Sequence, residues 1–102
     1  MKFAVLDSAR TDYRRLSPSE RRLFDAVVPR FNEACDRFAA DPSTPWPGSL
    51  RIKDVEGAPG IWEMTWSFSG PDGRATFEWI QIDGQSAVRW RRIGDDSILG
   101  RP

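Results

Sequence analysis

The chain has 102 residues, of which 15 are basic and 15 acidic, so its formal net charge is zero. This length is typical of one domain, and we expect a single domain over residues 1–102. With 39% hydrophobic and 12% aromatic residues, the composition favours a globular fold over disorder. No apolar stretch reaches the ~18 residues that a membrane helix needs, and the first residues lack the pattern of a signal peptide. We therefore expect a cytoplasmic protein that does not bind a membrane.

Two missing residue types limit the chemistry. The sequence has no histidine, which excludes imidazole as a base, an acid or a metal ligand. The single cysteine, Cys35, has no partner for an internal disulfide, and cysteine–histidine zinc sites are excluded. Catalysis by serine–histidine or cysteine–histidine pairs is excluded for the same reason. We expect no metal and no cofactor, and any catalysis must come from carboxylates, cationic side chains, hydroxyls, the one tyrosine or backbone groups.

The distribution of charge gives no basic region of the kind that nucleic-acid-binding proteins usually carry. Residues 1–50 hold eight basic and seven acidic residues, which leaves seven basic and eight acidic residues for the rest. Thirteen of the 15 cations are arginine, whose forked guanidinium suits phosphate, although high-GC codon usage produces the same bias. A phosphate-binding surface would have to come from local clustering.

The first elements in chain order are a short strand over Lys2–Leu6 and a short helix over Ser8–Arg15. The sequence Ser17-Pro18-Ser19-Glu20 is a capping box with proline at the first helical position, and it predicts the start of a second helix. Apolar residues then recur at spacings of three and four and predict one buried stripe: Leu23, Phe24, Val27, Val28, Phe31, Ala34, Cys35 and Phe38. Because this stripe keeps its phase beyond Pro29, we predict a bent helix rather than a break. Cys35 lies on the stripe, so we expect a buried, unreactive thiol.

After a proline-rich loop at residues 41–48, the hydrophobic period changes to two from Leu50 onward, which predicts strands. One face of the first long strand carries Trp62, Met64, Trp66 and Phe68, which favours core packing over base stacking. Turns are predicted at Gly70–Gly73 and at Asp83–Gly84. The last strand, Ala87–Ile93, places Arg89 and Arg91 on one face and Trp90 and Arg92 on the other if alternation is strict. The predicted fold class is α+β. We expect an N-terminal strand, then a helical hairpin or kinked helix, and then a C-terminal antiparallel sheet of about four strands. The helices should cover one face of this sheet.

Three segments of the C-terminal half carry a family resemblance: Gly57–Trp66, Pro71–Glu78 and Val88–Gly94. Together they resemble the RelE/ParE toxin superfamily, and most closely its actinobacterial RelE-like members. The resemblance implies a toxin of a type II toxin–antitoxin pair that binds a cognate antitoxin, as a homodimer or as a toxin–antitoxin hetero-oligomer. RelE-like members cleave mRNA on the ribosome, whereas ParE-like members inhibit DNA gyrase.

The resemblance also implies a set of site residues. Arg74 matches the arginine that opens the strand after the hairpin, and there it would clamp a phosphate, although it could equally be an ordinary arginine after a turn. RNA cleavage without a metal further needs a base for the 2′-hydroxyl proton and cations for the developing charge. The expected catalytic residues are Arg74, Glu63 and Arg91, and the expected RNA-binding residues are Arg51, Lys53, Arg89 and Arg92.

The sequence departs from the RelE-like pattern at several of these positions. Glu63 and Thr65 stand where relatives often carry basic residues, Asp95 and Asp96 stand where relatives often carry a basic residue or histidine, and Leu99 replaces a final aromatic residue. Either the site uses Glu63 together with the arginines, or the chain is a ParE-like gyrase inhibitor or an impaired member that only binds its antitoxin. The arginines of the last strand also have a structural alternative, because pairs with Glu63 or Glu78 on neighbouring strands would neutralise them.

Overall fold

The computed structural model describes residues 1–68 and 72–102. The main elements are β1 (Phe3–Val5), α1 (Asp7–Arg15), α2 (Pro18–Ala40), β2 (Lys53–Asp54), β3 (Trp62–Ser67), β4 (Gly73–Ile82) and β5 (Gln85–Gly94). Short 3₁₀ helices lie at Gly48–Leu50 and at Asp96–Gly100. The strands form one sheet of order β1-β5-β4-β3-β2, in which β1 runs parallel to β5 and the other neighbours are antiparallel. The predicted α+β class is confirmed.

Helix α2 begins where its capping box predicts. The Ser17 hydroxyl accepts a hydrogen bond from the Glu20 backbone N–H at 3.2 Å, and Oε1 of Glu20 accepts one from the Ser17 N–H at 2.8 Å. The helix then runs without a break through Pro29 to Ala40, as the uninterrupted stripe predicts. Neither α1 nor α2 has the combination of length and apolar character that a membrane crossing requires, and this holds for the described part of the chain.

The hydrophobic core lies between α2 and one face of the sheet. Phe31 of α2 and Phe77 of β4 are both fully buried, with ring centroids 4.9 Å apart, and Trp90 of β5 packs against both. This arrangement confirms core packing for Trp90. Leu23 is an exception to the predicted stripe, because it is 45% exposed and lines a cleft that also includes Trp66.

Cys35 is fully buried on the core side of α2, as the stripe predicts. Loss of solvation by burial raises the pKa of its thiol from 9.0 to about 12, and the neighbouring Asp36 carboxylate adds to this shift. Because the thiolate is the reactive form, the expectation of an unreactive thiol is consistent with this environment.

A second aromatic group closes the far end of the core. Trp46, from the proline-rich loop, stacks on Phe38 with centroids 4.5 Å apart, and Phe38 also contacts Trp62 and Trp79. Both Trp62 and Trp79 are partly buried against the core, and Trp66 is buried with its indole Nε1 donating to the Arg74 carbonyl at 2.9 Å. Core packing, rather than base stacking, is confirmed for these three strand tryptophans.

Two irregularities in the strands overturn predictions that assumed strict alternation. In β3, Thr65 pairs with Arg74 and Ser67 with Gly73, so Trp66 is an extra residue and the alternation shifts after it. Phe68 was predicted on the core face, but it is 51% exposed. The predicted turn before β4 includes residues 70 and 71, which lie outside the described residues.

The second irregularity is in β5. Phe77 pairs with Trp90 and Thr76 with Arg92, so Arg91 is the extra residue. Arg92 was predicted on the same face as Trp90, but the register places it opposite Thr76 instead. The turn predicted at Asp83–Gly84 is confirmed, because both residues have positive φ angles of 52° and 77° and join β4 to β5.

Candidate functional site

The sheet face turned away from α2 carries a connected set of polar side chains, which we call the polar face: Lys53, Glu63, Thr65, Arg74, Thr76, Glu78, Arg89, Arg91 and Arg92. Its register aligns one row across four strands, because Lys53 lies opposite Glu63, Glu63 opposite Thr76, and Thr76 opposite Arg92. Side chains aligned across neighbouring strands lie close enough to interact. The polar face therefore brings together residues that are far apart in the sequence.

Arg74 is the centre of the first group on this face. Its Nη1 donates to Oγ1 of Thr65 at 2.7 Å and to Oε1 of Glu63 at 3.3 Å. Its Nε donates to Oδ1 of Asp96 at 2.8 Å, and its Nη2 lies 3.6 Å from Asp72. The arginine is held from several sides, and its side chain is only 14% exposed.

Glu63 is the most deeply buried carboxylate of this group, at 4% exposure. Besides Arg74, its Oε1 lies 3.9 Å from Nζ of Lys53, which is exposed at the adjoining strand. A buried carboxylate needs such partners, because an unpaired buried charge is strongly unfavourable. Three of the predicted site residues are thus brought together, with Glu63 paired to both Arg74 and Lys53.

A cleft of about 500 Å³ opens above this group. Its polar walls come from Lys53, Glu63, Arg74 and Asp96, and Leu99 contributes an apolar wall. The remaining lining residues are Asp54, Val55 and Glu56, at and just after β2. A small polar group of a ligand that enters this cleft would meet both a carboxylate and a guanidinium.

Glu78 is the centre of a second group on the polar face. One of its oxygens, Oε1, accepts hydrogen bonds from Nε and Nη2 of Arg89, and its Oε2 accepts one from Nη1 of Arg91 at 2.9 Å. Nε of Arg91 also donates to the Pro102 carbonyl at 3.0 Å. The cross-strand pairing that was the structural alternative for these arginines is confirmed at Glu78.

Arg92 is directed away from both groups. Its Nε donates to Oδ2 of Asp12 on α1 at 2.7 Å, and its Nη1 donates to the Arg101 carbonyl at 3.0 Å. Asp12 is itself buried and also accepts from the Ile93 backbone N–H at 3.0 Å. These contacts join α1 to β5, so they give Arg92 a structural function in this arrangement.

The charges of the polar face and its partners balance. Five cations, namely Lys53, Arg74, Arg89, Arg91 and Arg92, meet five carboxylates, namely Glu63, Asp72, Glu78, Asp96 and Asp12. Around Arg74 itself, three carboxylates surround two cations. The zero net charge of the chain is therefore repeated locally, and the polar face is not an electropositive patch.

Arg51 lies apart from these groups. Its backbone is left-handed, with φ 45° and ψ 48°, and its guanidinium carbon lies 5.0 Å from the centroid of the Phe68 ring. Among the described residues, no carboxylate forms an ion pair with it. Of the seven predicted site residues, it alone has its cation on an aromatic ring.

Sequence reasoning missed four residues that complete these groups: Asp12, Thr65 as an Arg74 partner, Asp72 and Asp96. Strand register supplies a signal for Thr65, because it faces Arg74 on the neighbouring strand. No local pattern links Asp12 to Arg92, since the two are 80 positions apart. Asp95 and Asp96 point to different partners, because Asp95 accepts from the Ser97 N–H at 2.8 Å whereas Asp96 binds Arg74.

In the described part of the chain, no group of three or more acidic or cysteine side chains is placed to hold a metal ion.

Comparison with known proteins gives a clear result at the level of the fold. No protein-family model and no curated protein matches the sequence. The YoeB/ParE toxin from Agrobacterium tumefaciens matches with a TM-score of 0.56 and 14% identity, over 93% of this chain and 98% of that one. The toxin–antitoxin complex RelBE from E. coli matches with a TM-score of 0.50 and 13% identity, over 92% and 94% of the two chains. A mutant of the E. coli toxin RelE in the free state matches with the same score and identity, over 92% and 81%.

These matches show that the chain has the RelE/ParE-like toxin fold. They extend over 92–93% of the chain. The resemblance inferred from the three C-terminal segments is therefore confirmed at the level of the fold.

Proposed function

We propose that this chain is the toxin of a type II toxin–antitoxin pair and acts as a RelE-like endoribonuclease, which cuts mRNA on the ribosome and stops translation. The observation that carries this proposal is the Arg74–Glu63 pair at the cleft of the polar face, with Lys53 beside it. A carboxylate next to a guanidinium supplies two of the functions that metal-independent RNA cleavage requires, a base and a charge clamp. The shared fold with YoeB/ParE and RelE toxins supports the same assignment.

In the proposed reaction, the 2′-oxygen attacks the adjacent phosphorus and the bond from phosphorus to the 5′-oxygen breaks. Glu63 accepts the proton of the 2′-hydroxyl, and the leaving 5′-oxygen takes a proton from water. The hydroxide that remains takes the proton from Glu63, which returns the carboxylate and the water to their starting state. The products are a 2′,3′-cyclic phosphate and a 5′-hydroxyl, so atoms and charge balance. Arg74 binds the non-bridging oxygens, on which negative charge develops.

For this step, Arg74 must exchange part of its carboxylate contacts for phosphate. Asp96 is the partner best suited to leave, since its side chain is 63% exposed, whereas that of Glu63 is 5% exposed. The buried contacts to Glu63 and Thr65 would keep the guanidinium in place while its exposed side binds the substrate. Arg91 and Arg89 lie one strand away and would place further positive charge along the RNA. To bind it, they would have to give up part of their contacts with Glu78.

A cognate antitoxin is the proposed partner, and the cytoplasm the proposed compartment. The RelBE match is a toxin–antitoxin complex, which supports a partner protein of this kind. An open reading frame for a small protein beside this one in the genome would support the pair directly. Copurification of the two products would test it.

One observation favours a second candidate function, in which the chain binds a protein and cleaves nothing. Every arginine of the polar face is already paired with a carboxylate, and Arg74 has three such partners. Inhibition of gyrase by a ParE-like toxin, or binding of the antitoxin alone, needs no free phosphate-binding surface. Two of these carboxylates, Glu63 and Asp96, stand at positions where the family resemblance implies basic residues.

Expression of the chain alone in a bacterial host separates the two candidates. The nuclease proposal predicts arrested growth and new mRNA 5′ ends within coding regions, mapped by primer extension. Gyrase inhibition predicts induction of the DNA-damage response with intact mRNA. Normal growth with soluble, folded protein would contradict both activities and leave antitoxin binding alone.

A further inference from the structure

Phe68 is a large aromatic side chain on the surface at the end of β3. It follows the irregularity at Trp66, which shifts the alternation and leaves its ring 51% exposed. Strict alternation would place it on the same side of the strand as Trp62, Met64 and Trp66, which pack on the core side. The chain therefore exposes this ring at the point where β3 leaves the sheet.

Arg51 accompanies this ring in an unusual backbone conformation. The positive φ of 45° is uncommon for a residue other than glycine, asparagine or aspartate. The guanidinium carbon of Arg51 lies 5.0 Å from the centroid of the Phe68 ring, a distance typical of a cation–π contact. Since no described carboxylate pairs with Arg51, its charge is not neutralised, in contrast to all five cations of the polar face.

Arg51 is close in the chain to a residue that lines the cleft of the polar face. Arg51 is two residues before Lys53, a span of at most about 7 Å in extended chain. Nζ of Lys53 lies 3.9 Å from Glu63, which contacts Arg74. Arg51 and Phe68 do not themselves line the cleft, so a subsite at these two residues would be separate from it.

We propose that Phe68 and Arg51 form a subsite for one unpaired base of single-stranded RNA and its adjoining phosphate. The base stacks on the exposed part of the Phe68 ring, and Arg51 binds the phosphate. Aromatic stacking platforms combined with cations bind single-stranded nucleic acid in this manner, with little preference among bases. Phenylalanine has no hydrogen-bonding group in its side chain, so the subsite holds the strand without reading the base. This inference rests on the proposed action on RNA.

Binding of a short oligoribonucleotide with a fluorescent 2-aminopurine base tests the subsite directly. Phe68→Leu keeps apolar bulk but removes the aromatic face, and Phe68→Trp keeps that face. We expect Phe68→Leu to raise Kd about 5- to 150-fold, the range for loss of one stacked base, and Phe68→Trp to leave Kd near the wild-type value. Phe3→Leu is the matched control, since Phe3 is 55% exposed and lines a separate groove beside β1. It should not change Kd.

An abasic nucleotide in place of the labelled base provides a second readout. It should weaken wild-type binding as much as Phe68→Leu does, and the two changes together should be no worse than either alone. Thermal unfolding shows whether each variant is folded. If Phe68→Leu is not folded, the Kd of Phe68→Trp is compared with that of the wild type instead. Arg51→Gln should reduce the salt dependence of binding, because one phosphate contact is lost.

The outcomes separate this subsite from the proposed nuclease. Phe68-dependent binding by a protein that cuts no mRNA on ribosomes supports the subsite and contradicts the nuclease. Cleavage with equal Kd values for wild type and Phe68→Leu overturns the subsite and retains the nuclease. Absence of RNA binding by the wild type also overturns the subsite, as does a Phe68→Leu defect confined to a complex with an antitoxin protein.

Discussion

The indole of Trp66 occupies the space that a side chain at Gly73 would need. A Cβ atom at Gly73 would lie 2.6 Å from Cδ2 and 2.7 Å from Cζ2 of Trp66, well inside any tolerated contact. The same indole donates through Nε1 to the Arg74 carbonyl and makes an edge contact with Phe24 of α2. Gly73 thus lets Trp66 cover the start of β4 and fixes the backbone that presents Arg74.

Gly73→Ala should destabilise the fold by about 1–3 kcal/mol, because the rigid indole and the β4 backbone must move apart. Urea unfolding of the purified protein measures this change. Gly48→Ala is the matched control, since a Cβ atom at Gly48 meets no atom of the described residues within 4 Å and its φ is not in the left-handed region. A Gly73→Ala protein as stable as the Gly48→Ala protein would show that Trp66 repacks freely.

The two bulges mark the limit of prediction from sequence. Period-two patterning correctly placed Trp62, Met64 and Trp90 in the core, because each lies on a regularly paired part of its strand. The pattern failed beyond the bulges, for Phe68 and Arg92. A bulge depends on how two strands pair, and no local pattern of hydrophobic residues encodes that relation.

The candidate site was predictable to a similar extent. The resemblance pointed to Arg74, and Glu63 was expected as a base although it departs from the family pattern. Antiparallel register explains why the two residues meet. The pair between Asp96 and Arg74 could not be predicted, because Asp96 is 22 positions from Arg74 and comes from a separate 3₁₀ helix. The sequence has 15 basic and 15 acidic residues, but only the fold shows which of them form ion pairs.

Asp96→Asn should increase toxicity when the chain is expressed alone, because it removes one of three carboxylates that compete with phosphate for Arg74. Growth rate after induction measures the effect, with protein level held equal. Asp54→Asn is the matched control, since Asp54 lines the same cleft and pairs with no cation of the described residues. Equal effects of the two changes would indicate a general charge effect rather than release of Arg74.

Tyr13 and Asp25 join the two helices through a hydrogen bond that spectroscopy can follow. The Tyr13 hydroxyl donates to both oxygens of Asp25 at 2.9 Å, and this bond is the main cause that raises the pKa of Tyr13, with burial second. Asp25→Ala should therefore lower the pKa of Tyr13 toward its ordinary value of 10.0. Tyr13 is the only tyrosine, so the ultraviolet absorbance of tyrosinate reports on it alone. An unchanged titration curve would contradict this contact.

Cys35 should make the stability of the fold depend on alkaline pH. The pKa of its thiol is about 12 in the folded protein against 9.0 ordinarily, so the folded state favours the neutral thiol. Its contribution to the free energy of unfolding is therefore complete below about pH 9 and is lost as pH rises toward 12. Between about pH 8.5 and about pH 10.5, the wild type should lose about 2 kcal/mol more stability than Cys35→Ala. Urea unfolding of both proteins at the two pH values measures this difference. Parallel losses would show that the thiol is not protected from ionisation.

Arg74 and Glu63 are proposed to form the reaction centre of an mRNA nuclease. Cleavage of mRNA by purified protein on programmed ribosomes, followed as a single-turnover rate, tests it most directly. We predict that Arg74→Ala and Glu63→Gln each lower this rate about 10²- to 10³-fold while unfolding shows a folded protein, and that Arg22→Ala, an exposed helix arginine, does not. Cleavage by folded Arg74→Ala and Glu63→Gln proteins at the wild-type rate would contradict the account.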